Sequence, residues 1–339
     1  MIRPATAGGA NGLIMRKSLW LAALILVGSL PLAARAADAQ AADAPAADAP
    51  AANSAPVAAA PEYTQTGADT CLKCHSEPAV TGIFKTKHAV GADARTPFAQ
   101  EQCESCHGPG AEHSKKLHVG DPRPPMPLFA AGSKASVAKQ NGTCLACHQS
   151  GHRIGWQGSV HQREDVACVS CHRLHAEHDP VTVVAEQPVV CYQCHQKVRA
   201  DFEKFSAHPV RDGDMACTSC HAPHDALYPA LLTRPTLNQT CYTCHAEKRG
   251  PFLWEHAPVA EDCSNCHTPH GSVNPALLLS RPPLLCQQCH SQADHPSMAA
   301  TGAGLARGQA SSFLLAGSCT NCHSQVHGSN APSGADLNR

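Results

Sequence analysis

Aromatic residues make up only 4% of this 339-residue chain, with 7 Phe, 4 Tyr and 3 Trp. Large rings therefore cannot supply most of a core, although they usually dominate core energetics. Methionine is equally scarce: of 5 in all, only Met126, Met215 and Met298 lie beyond residue 61. Charge is thin at 16% of residues and nearly balanced, with a formal net value of −1. There is no basic run of five or more, which argues against a nucleic-acid partner. Beyond residue 33 no apolar run reaches 18 residues, so no membrane-spanning helix is expected there. Cysteine outside one recurring motif is also missing. All 20 cysteines belong to that motif, and none is left over.

The motif is Cys-x-x-Cys-His, and it occurs ten times. The cysteine pairs are Cys71 and Cys74, Cys103 and Cys106, Cys144 and Cys147, Cys168 and Cys171, Cys191 and Cys194, Cys217 and Cys220, Cys241 and Cys244, Cys263 and Cys266, Cys286 and Cys289, and Cys319 and Cys322. This spacing is the attachment signature of c-type haem. Two thioethers fix the porphyrin vinyl groups, and the adjoining His lies under the iron. Zinc sites normally draw four ligands from paired motifs and do not require His directly after the second Cys. Thioredoxin-like motifs come singly in a βαβ context, which is missing here. A disulfide framework would not explain His after all ten second cysteines. The reading is ten covalently bound haem c groups. Their proximal iron ligands are His75, His107, His148, His172, His195, His221, His245, His267, His290 and His323.

The chain has 23 His, so thirteen remain after the ten proximal ones. Ten irons need ten distal ligands, and methionine is too scarce to provide them. The distal set predicted from spacing is His88, His113, His161, His175, His208, His224, His256, His270, His295 and His327, with His118, His152 and His178 as spares. His113 and His118 stand as alternatives for one position. Met/His ligation raises the potential of a haem, so His on both faces implies lower potentials. The spacing also divides the motifs into five units of two. In the first four units a His follows the first motif's His by 13, 13, 13 and 11 residues, and a second His closes each unit. In the fifth, His290 is followed by His295 at five residues, and an insertion follows. A His three residues after a proximal His, such as His175, His224 or His270, cannot easily reach the same iron. It is expected to serve a neighbouring haem, so that coordination cross-links the units internally and replaces a missing core.

The N-terminus reads as a secretory signal. Met15-Arg16-Lys17 is basic, Leu19 to Ala33 is apolar, and Ala34-Arg35-Ala36 fits a small-x-small cleavage site. Met1 and Met15 are alternative starts. The predicted organisation is a signal peptide over 1–36, an Ala/Asp/Pro-rich disordered linker over 37–66, a decahaem cytochrome c domain over 67–328 and a tail over 329–339. The predicted fold is a multihaem cytochrome c, mostly coil with short α-helices wrapped around ten haems, forming an elongated stack of five dihaem units. Short helices are expected at Asp201–Ala207, at Ala303–Leu315 and beside the first motif of each unit. Loops are expected at Asp121–Pro127 and Arg281–Pro283.

One motif falls in roughly every 25 residues, so each haem must lie close to others. That density, with His at every attachment motif and His to spare, points to electron transfer rather than catalysis. Several segments resemble a known family, the decahaem periplasmic cytochromes of the MtrA/DmsE type. They run from Gly67 to His75, Phe84 to His88, Arg95 to Phe98 and Gln102 to Gly110, and include Trp156-Gln157-Gly158 with His161 and Glu164 to Cys168. The resemblance implies an electron conduit held inside an outer-membrane β-barrel porin. It also implies periplasmic or inner-membrane c-type cytochromes as redox partners, and an extracellular multihaem cytochrome or reductase on the far side. Extracellular metal reduction, Fe(II) oxidation and DMSO-type respiration are all compatible, and direction of flow is open. The alternative is a soluble periplasmic shuttle to a terminal reductase.

Overall fold

The computed structural model describes residues 60–130, 132–225, 227–290 and 319–338, all in the compact unit Ala59–Arg339. The expected signal peptide, residues 37–59 of the expected linker, the expected helix at Ala303–Leu315 and His295 lie outside the described residues.

Helices are short among the described residues, and the longest is Val137–Leu145. There are no named strands there, only four isolated bridges, Ser206 to Ser272, His221 to Leu232, Trp254 to Ser329 and His267 to Leu278. The two motifs of a unit open differently. A helix leads into the first cysteine of each leading motif, at Ala68–Cys71, Val137–Leu145, Gln187–Cys191, Leu237–Cys241 and Leu284–Gln287. The later second motifs open on a single 3₁₀ turn, at Cys168–Ser170, Cys217–Ser219, Cys263–Asn265 and Cys319–Asn321. Local sequence explains the leading helices. Ser136 and Thr236 accept from Lys139 N–H at 3.3 Å and Gln239 N–H at 3.1 Å, so each helix starts on a side-chain cap. Pro188 sits in the first turn of Gln187–Cys191, where its missing N–H costs nothing. The helix expected at Asp201–Ala207 is instead at Gln196–Phe202. Ser206 is committed to the bridge with Ser272, at 2.9 and 2.8 Å, and that pairing keeps the later part of the expected span out of the helix.

A conventional core is missing among the described residues. The buried apolar side chains are Ala68, Trp156, Ala167, Val190, Phe202, Val210 and Ala216, and buried polar residues outnumber them. Those polar residues are tied into the backbone, as burial demands. Asn141 donates to Val166 O at 3.0 Å and accepts from Cys168 N–H at 2.8 Å. Asn238 repeats this two units later, donating to Val259 O at 3.0 Å and accepting from Cys263 N–H at 2.7 Å. In the intervening unit Gln187 donates to Val181 O at 2.8 Å and accepts from Thr218 N–H at 3.0 Å. An amide just ahead of each of these leading motifs thus fixes where the next motif begins.

Packing contacts continue on the outer side of both Gly67 and Gly328. Glu104, 2% exposed, accepts from Thr64 N–H at 3.0 Å and Gly110 N–H at 2.6 Å. After Gly328, Trp254 Nε1 donates to Ala331 O at 3.0 Å, and Gln325 N–H donates to Leu337 O at 2.9 Å.

Candidate haem-binding site

All ten motifs adopt one geometry. In each, the His N–H donates to the carbonyl of the first Cys at 2.9–3.0 Å. The second Cys N–H donates to the same carbonyl at 3.1–3.3 Å. This is a single helical turn, and it places side chains at i and i+3 on one face. Both sulfurs of a motif therefore point the same way, with the His directly after them.

The motifs also meet within units. Hydrogen-bonding contact joins the thiols of Cys71 and Cys103, Cys144 and Cys168, Cys191 and Cys217, Cys241 and Cys263, and Cys286 and Cys319. Between units the second cysteines lie near enough to act on one another electrostatically: Cys106 with Cys147, Cys171 with Cys194, Cys220 with Cys244 and Cys266 with Cys289. Burial pushes Cys103 up to about 11 and Cys241 up to about 12, while the hydrogen bonds from Cys144 and Cys191 pull Cys168 and Cys217 down to about 7.

The histidines pair across the chain. Ring centroids lie 6.3 Å apart for His75 and His113, 6.0 Å for His88 and His148, 6.2 Å for His107 and His175, and 6.2 Å for His161 and His195. They lie 5.8 Å apart for His172 and His224, 6.3 Å for His208 and His245, and 6.0 Å for His221 and His270. His256 and His290 are 6.0 Å apart, and His267 and His327 are 6.2 Å apart. Two imidazoles on opposite sides of one metal, each bonded at about 2 Å, place their centroids roughly 6 Å apart. Each described pair joins one expected proximal ring to one expected distal ring. His113, not His118, faces His75. None of these pairs contains His118, His152 or His178, and His178 Nε2 instead lies 3.5 Å from the Glu186 carboxylate.

The direction of these pairs corrects one expectation. Only His75 with His113 stays inside a unit; the other eight join a motif to the motif two places away. These ring pairs run between consecutive units, whereas the two motifs of one unit meet through their first cysteines.

Nδ1 of ten histidines is occupied by the protein. His107, His113, His161 and His208 bond the carbonyls of Pro127, Pro124, Pro223 and Pro269 at 2.9, 2.7, 3.0 and 2.7 Å. His175, His221, His256, His267 and His323 bond those of Ala79, Ala230, Val326, Ala276 and Asp336 at 3.2, 2.9, 3.0, 2.8 and 2.7 Å. His172 alone among them bonds a carboxylate, Asp179 Oδ2, at 2.6 Å. A carbonyl can only accept, so Nδ1 carries the proton and Nε2 is left for a metal. Burial pushes His148, His175, His224, His270 and His327 down, favouring the neutral ring that ligates.

The space between the pairs fits haem. One cavity of about 5250 Å³ runs past every motif, lined from Tyr63 to Leu337. A tenth of it, about 525 Å³ per motif, lies within the roughly 300–1,000 Å³ of a single-ligand pocket. The sparse aromatics form its walls: Phe129 packs on His107, Trp156 on His224 and Phe202 on His270, at 5.3, 6.2 and 5.5 Å. The buried Arg153 Nε finds no acceptor in the protein, which suits a ligand bearing carboxylates, as haem does through its propionates. Sequence reasoning missed Arg153, Asp179 and the amide clamps. Asn three residues before Cys144 and again before Cys241 was a readable signal for the clamps.

This fold and site define a multihaem c-type cytochrome, an electron-transfer protein whose cofactor is haem c. Residues 208–250 and 256–295 match the doubled CXXCH motif family, residues 103–188 the cytochrome c-type protein NrfB-like family, and residues 34–108 the cytochrome c554 and c-prime family. The multihaem cytochrome MtrA of Shewanella baltica (strain OS185) is 49% identical over 280 residues, covering 82% of this chain and 83% of that protein. The chain belongs to the MtrA family of multihaem cytochromes. The cytochrome c-type protein NrfB of Escherichia coli O6:H1 is 29% identical over 182 residues, covering 50% of this chain and 80% of that protein.

Proposed function

We propose that this cytochrome carries electrons across the outer membrane inside a β-barrel porin. It links periplasmic c-type cytochromes to extracellular donors or acceptors, through an extracellular multihaem cytochrome or reductase. The observation that carries the reading is the row of motifs in chain order, with first-cysteine thiols in hydrogen-bonding contact within each unit and second cysteines near enough between units to act on one another electrostatically. Haems attached to such a row lie next to one another, and electrons pass readily only between near neighbours.

In this reading the chain holds ten haems in five dihaem units, with His on both faces of each iron. The ring pairs supply the axial ligands, and His295 belongs to the distal set. Haem supplies the one-electron Fe(III)/Fe(II) couple. The protein's part is to fix ring orientation through Nδ1, to exclude other ligands and to space the irons. Residues 1–36 direct export to the periplasm, 37–66 tether the haem region and 67–328 conduct. No helix among the described residues is long and apolar enough to cross a membrane. A backbone this irregular could not face lipid, so a transmembrane position requires a sheath.

The test is reconstitution. Liposomes holding the cytochrome and its barrel together should pass electrons from an internal reductant to an external acceptor, and either protein alone should not. Conduction by the cytochrome alone, or an insulating pair, refutes the conduit. Failure to co-purify with a barrel protein would favour a periplasmic shuttle.

A further inference from the structure

The Asp179–His172 pair breaks a pattern that three units otherwise share. In the second, third and fourth units a Pro follows the second motif's His by eight residues, at Pro180, Pro229 and Pro275. In the third and fourth units Ala follows that Pro, and its backbone turns left-handed, with φ of 52° at Ala230 and 55° at Ala276. That turn aims the Ala carbonyl at Nδ1 of His221 and His267. In the second unit the same position is Val181, a β-branched residue for which positive φ is strongly disfavoured. Val181 lies in the 3₁₀ turn Pro180–Thr182, and its carbonyl accepts from Gln187 instead. The residue before Pro180 takes over. Asp179 Oδ2 meets His172 Nδ1 at 2.6 Å, and Oδ1 accepts from Arg173 N–H at 3.2 Å, so both oxygens are held. The equivalent residues are Tyr228 and Asn274, neither of which carries a charge.

We infer that Asp179 is a positioning residue that lowers the reduction potential of the haem on the Cys168–His172 motif below those on the Cys217–His221 and Cys263–His267 motifs. The inference rests on the reading of His172 as an iron ligand. A carboxylate on Nδ1 draws the ring proton and makes the imidazole a more basic donor, which favours Fe(III) over Fe(II). The site is half-buried, with side-chain exposures of 31% for His172 and 19% for Asp179, so solvent does not cancel the charge. His75 and His245 also have carboxylates nearby, from Glu77 at 3.8 Å and Glu247 at 4.0 Å. Those pairs are exposed and beyond hydrogen-bonding reach, so they do not polarise the ring in this way. The Arg153 guanidinium acts in the opposite sense on His148 and on His224, the ring facing His172, but it acts through space, whereas Asp179 bonds its ring directly. The result is a thermodynamic step inside the row, at its fourth motif.

The test is a redox titration of the full-length holoprotein carrying Asp179→Asn, which keeps an oxygen acceptor and removes the charge. One haem should become easier to reduce by at least tenfold in its equilibrium, about 59 mV for one electron, with the other nine unmoved. Glu177→Gln, at an exposed carboxylate paired with Lys85, should shift none. A second measurement needs no variant. In the wild-type ferric protein, the near-infrared charge-transfer band of one low-spin haem should stand apart from the rest. An Asp179→Asn protein with ten low-spin haems and an unchanged titration overturns the inference, and so does a wild-type spectrum with a single uniform band. A wild-type protein with fewer than ten low-spin haems would instead count against the ligand reading.

Discussion

Replacing His224 by Ala tests the ring pairing most directly, because pairing and chain position point to different haems. His224 lies three residues after His221, yet its ring faces His172 at 5.8 Å, with planes 16° apart. The substitution should therefore leave the haem of the Cys168 motif without its sixth ligand and spare the haem of the Cys217 motif. One of ten haems should turn high-spin, so about a tenth of the low-spin near-infrared dichroism should vanish. The lost bond also opens a loop of about 50 residues, whose closure contributes at most about 4 kcal/mol in the chain-entropy treatment of cross-links. Exogenous imidazole should restore the spin state but not the stability, since it refills the iron without tying the chain. Assignment comes from epistasis. In a protein lacking the fourth haem through Cys168→Ser and Cys171→Ser, His224→Ala should add no high-spin signal. If it still does, and Cys217→Ser with Cys220→Ser abolishes the effect instead, the pairing is wrong.

Other outcomes are equally specific. Denaturing mass measurement of the mature chain should show ten haem additions, and eight or fewer would refute the count. Near-infrared dichroism of the ferric protein should lack a His/Met band, and His178→Ala should perturb no haem. Gly271→Ala should destabilise the fold by about 1–3 kcal/mol in denaturant titration, because its Cβ would lie 1.9 Å from Asp201 O. Asn238→Ala should cost about 1–3 kcal/mol by stranding the buried Cys263 N–H, with all ten haems retained.

The attachment chemistry is written almost entirely in local spacing, because a single helical turn places two sulfurs and one imidazole. That is why Cys71 to His75 could be read without a fold. Counting supplied the distal candidates, since methionine was too rare to compete. The partner of each ring was not legible. His88 meets His148 and His107 meets His175, and such matches depend on how whole units stack. Sequence proximity pointed to cross-links inside a unit, and the stacking of motifs through their cysteines overrode it. Helix placement failed at Asp201–Ala207 for a similar reason, because the Ser206–Ser272 bridge is non-local. Asp179 was invisible because its role follows from what Val181 cannot do with its backbone.

The ring pairs carry a direction in time. A polypeptide is made from its N-terminus, so the rings facing His148, His195, His245 and His290 already exist when those motifs emerge. His107, His172, His221 and His267 face rings that lie 49 to 68 residues downstream. In the proposed ligand assignment, leading motifs after the first find their distal ring already made, while second motifs stay open at the sixth position until the next unit arrives. On that assignment, wherever synthesis pauses before His290, at most two irons lack a partner ring.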